Sequence, residues 1–259
     1  MKKVKMYLLF ASLIGLTVAC QKTEDILSEN TNAQDVTPAS GNQSNDATLR
    51  HVDPDDFVTG VNNPFFPLTP GDTYHSLTTK IDGNDTVFEN HNFIITHQTK
   101  VVQGVTCIEV HDVSTINGVL LEDTYDWFAQ DDDGNVWYFG EDTKKYDSTG
   151  NYSTAGSWEA GVNGAQAGIQ MWAHPRLHIG QTYNQEYYVG IAEDKAKVIN
   201  GNVNTTVPYG SFQNCIKIRE WTPLEPGIFG FKIYKAGIGQ VRSGTPSEGE
   251  SAVLISITH

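Results

Sequence analysis

Basic residues are scarce in this sequence. Its 259 residues contain 17 Lys and Arg against 31 Asp and Glu, which gives a formal net charge of −14 at pH 7. Nucleic acids and anionic membrane surfaces attract proteins that carry a basic face. The deficit of positive charge therefore argues against a nucleic-acid partner and against electrostatic adsorption to a membrane. It favours cation binding, or simple solubility outside the cell.

Cysteine is also scarce, with Cys20, Cys107 and Cys215 as the complete set. No Cys-x-x-Cys pair is present, which argues against thiol–disulfide redox catalysis. Cys107 and Cys215 each fall on the more polar face of a predicted strand. If the protein is exported to an oxidising compartment, this predicts a Cys107–Cys215 disulfide, with two separate buried thiols as the alternative.

Several motifs that identify common enzyme classes are missing. The chain has no Gly-x-Ser-x-Gly, no phosphate-binding loop, no dinucleotide fingerprint and no His-Glu-x-x-His. From residue 51 onwards, no apolar period of 3.6 residues is sustained for three helical turns. These absences point away from nucleotide-dependent and serine-nucleophile chemistry, and away from a helical fold.

The chain begins with a signal peptide, residues 1–19. Lysines at its start precede an apolar segment, 7–18, that is too short to span a bilayer. Its end, Leu16-Thr17-Val18-Ala19-Cys20, resembles a bacterial lipobox, in which the cysteine is lipidated and becomes the mature N-terminus. The resemblance implies that Cys20 carries a lipid anchor and attaches the protein to a membrane. The alternative is an ordinary cleaved signal with a chance cysteine.

Residues 20–50 are expected to form a lipidated, disordered tether, because they are rich in Asn, Ser, Thr, Asp and Gln and contain few apolar side chains. The run 21–25, Gln-Lys-Thr-Glu-Asp, resembles the short signal that sends Bacteroidota lipoproteins to the outer face of the outer membrane. It implies a cell-surface location, with the periplasmic face as the alternative. Residues 51–259 are expected to form a single β-domain.

Closely spaced strands with tight turns between them dominate residues 51–259. The turn signals include Asn117-Gly118, Asp133-Gly134 and Asn200-Gly201. They predict an all-β fold, an antiparallel meander that forms a half-barrel or a barrel, with a sandwich as the alternative. The strands are predicted at about 73–80, 86–102, 105–116, 119–130, 135–146, 181–190, 193–200, 203–207, 211–221, 229–236, 238–243 and 251–258, with a short helix near 163–172.

Two resemblances accompany this pattern. The segment 231–241, with Lys-Ala-Gly-Ile-Gly-Gln-Val at its end, resembles the closing motif of envelope proteins with a lipoprotein-carrier-like half-barrel. The segment 126–194, with Asp-Trp-Phe-Ala-Gln-Asp and Asp-Gly-Asn-Val-Trp-Tyr-Phe-Gly-Glu, resembles an uncharacterised Bacteroidota-type family of secreted lipoproteins. Both imply a fold rather than an activity.

The stretch 120–158 combines aromatic and acidic residues more densely than any other. If residues 131–134 form its turn, Phe128 pairs with Trp137. One face of the hairpin then carries Asp126, Phe128, Trp137 and Phe139, with Glu141 further along. These residues could bind a sugar, whose ring packs on aromatic faces while carboxylates accept from its hydroxyls. The alternative is a well-packed structural hairpin.

The irregular segment 156–178 adds further candidates. Trp158 and Trp172, with Glu186 beyond the segment, are predicted to bind ligand, and Glu159 and His174 are the candidate catalytic residues. The leading hypothesis is an envelope lipoprotein that binds an apolar or glycan ligand, or serves as a scaffold, without catalysis. The alternative is a carbohydrate-active enzyme, either a polysaccharide lyase or a glycoside hydrolase.

The acidic run 131–135 could form a calcium loop, since its oxygen ligands lie close together. Counted from Asp131, however, position four is the glycine and position twelve is Asp142, so the EF-hand pattern fails. Asp-Gly-Asn is also an ordinary hairpin turn. No metal site and no cofactor are therefore predicted, with calcium as the alternative.

Overall fold

The computed structural model describes residues 51–259. The predicted signal peptide (1–19), the lipidation site Cys20 and the tether (20–50) lie outside the described residues. Within residues 51–259, the structure has no helix that is both long enough and apolar enough to cross a membrane.

Residues 51–259 contain sixteen β-strands, three short 3₁₀ segments and no α-helix. The 3₁₀ segments are Pro54–Asp56, Pro175–His178 and Pro246–Glu248. The strands are β1 (Phe57–Val58), β2 (Thr73–Asp82), β3 (Asp85–Val102), β4 (Val105–Ile116), β5 (Val119–Asp131), β6 (Val136–Tyr146), β7 (Tyr152–Ser153), β8 (Trp158–Glu159), β9 (Gln166–Met171), β10 (Thr182–Asn184), β11 (Glu186–Tyr187), β12 (Lys195–Val207), β13 (Gly210–Trp221), β14 (Gly230–Lys235), β15 (Gly239–Thr245) and β16 (Glu250–Thr258).

The strands join in one sheet with the order β10-β12-β13-β14-β15-β16-β2-β3-β4-β5-β6-β9-β11. Two antiparallel meanders, β2–β6 and β12–β16, are connected by the pairing of β16 with β2. The two ends of the sheet, β10 and β11, are separated by Gln185 alone. The sheet therefore curls into a barrel that is nearly closed, with one seam. The predicted all-β antiparallel barrel is confirmed, and the sandwich alternative is not what forms.

Local sequence explains most of the hairpins. Asn117 and Gly118, between β4 and β5, both have positive φ, at 52° and 77°. This is the backbone of a type I′ turn, whose twist matches that of antiparallel strands.

The Phe65-Phe66 pair, with exposed fractions of 5% and 8%, belongs to the buried hydrophobic cluster.

Three predictions about the second half of the chain are wrong. The predicted helix near 163–172 is the strand β9, which pairs with β6. The predicted turn at Asn200-Gly201 is absent, because β12 continues through it with register shifts against β13. The strand predicted at 181–190 is broken into β10 and β11 at the seam. In each case, pairing with a neighbouring strand of the sheet overrides the local signal.

The predicted Cys107–Cys215 disulfide is not formed, and both cysteines are free and buried. Cys107 lies on β4 and Cys215 on β13, which are not neighbours in the sheet. The two thiols also belong to different hydrophobic clusters. Parity along each strand suggested a polar face for both, but it carried no information about the distance between the strands.

Candidate functional site

A cavity of about 180 Å³ lies inside the barrel. Residues from both meanders line it, together with residues of β9 and β11. One part of its wall is apolar and is formed by Phe66, Leu68, Tyr74, Phe93, Phe128 and Ile238. The cavity-lining residues among 51–259 also include six carboxylates and two basic side chains, namely Asp112, Glu122, Asp126, Glu186, Asp194, Glu220, His91 and Lys232.

Strand alternation explains why these side chains point inwards. Successive side chains of a strand point to opposite faces of the sheet. On β5, Glu122, Asp126 and Phe128 have the same parity and all three line the cavity. Trp127 lies between two of them and contacts the ammonium of Lys100, which is 3.3 Å from its ring centroid.

The predicted register of the aromatic hairpin is wrong by one residue. Phe128 pairs with Tyr138, and Trp137 pairs with Ala129. The cause is the turn, which closes with a hydrogen bond from the Asp131 N–H to the Asn135 carbonyl oxygen and leaves three residues in the loop. A slip of one residue moves a side chain to the other face of a sheet. Tyr138 therefore lines the cavity beside Phe128, in place of the expected Trp137.

Trp137 and Phe139 lie outside the cavity lining. Their rings pack edge to face against Phe57 of β1, with centroids 5.7 Å and 5.5 Å apart. Trp137 Nε1 also donates to Asp131 Oδ2 at 2.8 Å. The structure gives both aromatic residues contacts that hold β1 against the hairpin, which is the structural role considered as the alternative above.

Asp126 and Tyr138 form a buried pair in the lumen. The Tyr138 hydroxyl donates to Asp126 Oδ1 at 2.6 Å, and the Tyr138 ring stacks on Phe128 with centroids 4.8 Å apart. Burial, reinforced by Asp112, raises the pKa of Asp126 to about 8. The lumen thus places a carboxyl group that retains a proton at neutral pH next to two aromatic rings.

Glu186 on β11 is the most deeply buried carboxylate that lines the cavity, with 2% of its surface exposed. Neither of its oxygens accepts a hydrogen bond of ordinary geometry. Burial, followed by the carboxylates of Asp194 and Glu141, raises the pKa of Glu186 well above its usual range, although the nearby Trp158 indole lowers it. Glu186 is therefore a buried acid at the cavity wall, and its neighbouring donor is the Trp158 indole.

The two basic side chains of the lumen already have carboxylate partners. Lys232 Nζ lies 3.0 Å from Glu220 Oε2, and His91 Nε2 forms an ion pair with Asp112. Burial alone would lower the pKa of Lys232, but Glu220 raises it overall. Gln185 Nε2 donates to the other oxygen of Glu220 at 3.1 Å. These pairs leave the lumen with more carboxylates than cations.

Among the predicted ligand-binding residues, Asp126, Phe128 and Glu186 line the cavity. Trp158 lies behind them, with its ring edge-on to Tyr138 at 5.3 Å. Glu141 is buried in β6 opposite Asp126.

The structure does not bring the remaining candidates to the lumen. Glu159 accepts from Lys100 Nζ at 2.7 Å, and its side chain is 36% exposed. His174 precedes the 3₁₀ segment Pro175–His178. Trp172 stacks on His178 with centroids 4.3 Å apart. Neither Glu159 nor His174 lines this cavity.

Several lumen residues were not predicted, among them His91, Asp112, Glu220 and Lys232. Each lies at or beside a strand with an ordinary polar pattern, so its own neighbourhood gives no signal. The sequence offered one hint, which is that these charged residues alternate with surface residues along their strands. That hint identifies lumen residues only when the register of non-consecutive strands is also known.

The run 131–135 forms a hairpin turn. Asp131 accepts from the Asn135 backbone N–H at 2.7 Å, from Asn135 Nδ2 at 2.8 Å and from Trp137 Nε1 at 2.8 Å. Both of its oxygens are thus engaged by donors of the hairpin. Across residues 51–259, no group of three or more His, Cys, Asp or Glu side chains has an arrangement that could hold a metal ion.

Two solved structures resemble the fold of this chain. One is a Bacteroides fragilis protein provisionally described as exported, with a YmcC-like fold; it has a TM-score of 0.45 and 17% identity, over 75% of this chain and 99% of its own. The other is provisionally described as a lipoprotein, from Parabacteroides distasonis, with a TM-score of 0.42 and 13% identity, over 76% of this chain and 99% of its own.

No family model and no curated protein matches this sequence. The fold assignment therefore rests on the strand order and pairings of the chain itself.

Proposed function

We propose that this chain is a lipid-anchored lipoprotein of the bacterial envelope that holds a small ligand in its barrel lumen, without catalysis. The envelope location follows from the signal peptide and the lipobox that ends in Cys20. The run 21–25, Gln-Lys-Thr-Glu-Asp, supports attachment to the outer face of the outer membrane. This location is part of the same proposal.

The lumen itself is the observation that carries the binding function. It combines an apolar wall with a few converging polar groups, which is the usual composition of a small-molecule site. Small barrels fill their interior with packed side chains, whereas larger barrels can enclose a ligand. Here about 180 Å³ remains open between Phe128, Tyr138 and Glu186.

A ligand screen with a blocked-lumen variant tests this function. The mature chain with Cys20→Ser would be tested by thermal shift against sugars, amines, fatty acids and amino acids. Ser243 lines the cavity, so Ser243→Phe should fill part of the lumen and abolish the shift by any true ligand. Ile255→Phe is the matched control, because Ile255 is 37% exposed and does not line the cavity.

Three outcomes separate the alternatives. A ligand that stabilises the wild type and Ile255→Phe but not Ser243→Phe supports binding in the lumen. If no compound shifts the melting temperature, and native mass spectrometry of protein recovered from the envelope shows no bound small molecule, lumen binding is wrong. New reducing ends or unsaturated products from a panel of polysaccharides would show catalysis, and would overturn the proposal that the protein binds its ligand without catalysis.

A further inference from the structure

We propose that the lumen selects a small organic cation, whose ammonium group is held by Glu186 and whose apolar part packs against Phe128 and Tyr138. This inference rests on the proposed lumen function and specifies the chemical class of its ligand. It follows from the position of Glu186, the charge balance of the lumen, the aromatic wall beside it and the size of the cavity.

Glu186 is the primary anchor. It is 98% buried, lines the cavity and has no hydrogen-bond partner of ordinary geometry for either oxygen. A buried carboxylate without a partner is costly, so such groups are normally paired or protonated. An ammonium group in the adjacent cavity would supply both the missing donors and the missing positive charge.

The protein does not supply that charge itself. The lumen bases Lys232 and His91 are paired with Glu220 and Asp112. Within residues 51–259, neither Glu186 nor Asp126 forms a salt bridge with a basic side chain. A cation bound beside Glu186 would therefore meet an acidic group that no base of residues 51–259 already pairs.

The aromatic wall suits the same ligand. Phe128 and Tyr138 stack on one another, and Trp158 lies edge-on to Tyr138 near Glu186. Aromatic faces attract ammonium groups through their quadrupole and also bury the attached hydrocarbon. Carboxylate and aromatic groups in one pocket are therefore a chemically consistent recognition set for an amine with an apolar body.

The cavity volume limits the ligand to a small molecule. A protein cavity of about 150 Å³ accommodates one benzene molecule. The lumen, at about 180 Å³, has room for a single ring with a short ammonium arm. Benzylammonium fits this description, and benzyl alcohol is its neutral counterpart of nearly the same shape.

Proton release gives the proposal a second, independent signature. Glu186 faces Asp194, Glu141, Asp126 and the Tyr138 hydroxyl, and burial together with these carboxylates raises the pKa of Glu186 in the empty lumen. Binding of an ammonium ion favours the ionised carboxylate and so lowers that pKa. Affinity for benzylammonium should therefore increase as pH rises, with protons released on binding. Affinity for benzyl alcohol should not increase.

The test is calorimetric titration of the Cys20→Ser mature chain with the two probes. A hydrogen bond to a charged group corresponds to about a tenfold to hundredfold gain in affinity, so benzylammonium should bind tighter than benzyl alcohol by that factor. Glu186→Gln keeps the shape but removes the charge, and should reduce the preference to near unity while benzyl alcohol still binds. The exposed Asp142, on the outer side of β6, provides the control variant Asp142→Asn, which should behave as the wild type.

The outcomes distinguish this inference from the lumen function. Equal binding of both probes, or tighter binding of benzyl alcohol, would show an occupied lumen with no selection for cations, and would overturn the inference alone. Absence of binding by benzylammonium would also overturn it, and the wider ligand screen would then decide the lumen function. If Glu186→Gln still binds benzylammonium more tightly than benzyl alcohol, Glu186 is not the group that holds the ammonium.

Discussion

Gly140 shows how one residue without a side chain shapes the lumen. It has a φ of +136°, and a Cβ placed there would lie 2.3 Å from the carbonyl oxygen of Trp158. This close approach allows β8 to pair with β6 through Gly140 and Glu159. The same position lies at the register shift between β5 and β6. Gly140 therefore supports the close packing of β8 on β6 and the position of Trp158.

We expect Gly140→Ala to destabilise the protein by about 2–4 kcal/mol, because its Cβ would collide with backbone atoms that cannot move independently. Gly150→Ala is the matched control. Gly150 also has positive φ, at 85°, but nothing lies within 4 Å of its added Cβ. That substitution should cost about 1 kcal/mol through backbone strain alone. Urea unfolding of both variants measures the difference, and equal losses would contradict the role assigned to the contact.

The hairpin formed by β5 and β6 is the element on which the site depends most. Its turn is stabilised by Asp131, a residue with 7% of its surface exposed that accepts three hydrogen bonds from Asn135 and Trp137. Trp137 in turn packs on Phe57, so the turn, the hairpin and β1 form one connected unit. The acidic run stabilises this structure with its own side chains.

We expect Asp131→Ala to lower the free energy of unfolding by about 2–4 kcal/mol, since it leaves the buried Trp137 N–H and the Asn135 donors without an acceptor. The loss should be the same with added calcium as with a chelator. Asp132→Ala, at an exposed neighbouring position, should change stability by less than about 0.5 kcal/mol. Melting curves check both points, and stabilisation of the wild type by calcium that disappears in Asp131→Ala would instead support a calcium loop.

Across the whole molecule, buried carboxyl groups make stability depend on pH in an unusual direction. Burial raises the pKa of Glu89, Glu122 and Asp194 to about 7, and that of Asp126 to about 8. Between about pH 4 and these values, the folded protein holds protons that the unfolded chain has lost. Stability therefore falls as pH rises through this window. His91 acts in the same direction, because burial lowers its pKa but Asp112 raises it overall.

We expect the melting temperature to be higher at pH 5.5 than at pH 8. Asp126→Asn, which keeps an acceptor for the Tyr138 hydroxyl, should increase stability at pH 8 by at least about 1.4 kcal/mol, the equivalent of one pKa unit. The gain should be smaller at pH 5.5, which lies nearer the pKa of an unfolded aspartate, so the pH dependence flattens. Asp142→Asn on the exposed side should leave the pH dependence unchanged. A wild-type melting temperature that rises from pH 5.5 to pH 8 would contradict this account.

Local signals in the sequence were sufficient for the architecture. Alternating strands and turns such as Asn117-Gly118 predicted an antiparallel barrel, because side-chain alternation and turn geometry depend on residues close together in the chain. The same reasoning found Asp126, Phe128 and Glu186, which line the lumen. It failed where the length of the loop between β5 and β6 decided the face, and so exchanged Tyr138 for Trp137.

Composition and local pattern by themselves determined the acidic character and the all-β class of this protein, and they predict a signal peptide with a lipobox. Tertiary structure alone decided which carboxylates meet. Asp112, Glu186 and Glu220 come from strands that are far apart in sequence, and they share one cavity because β16 pairs with β2 and the sheet closes near β10 and β11. Side-chain direction is a local property, whereas proximity across a barrel depends on the register of every strand between.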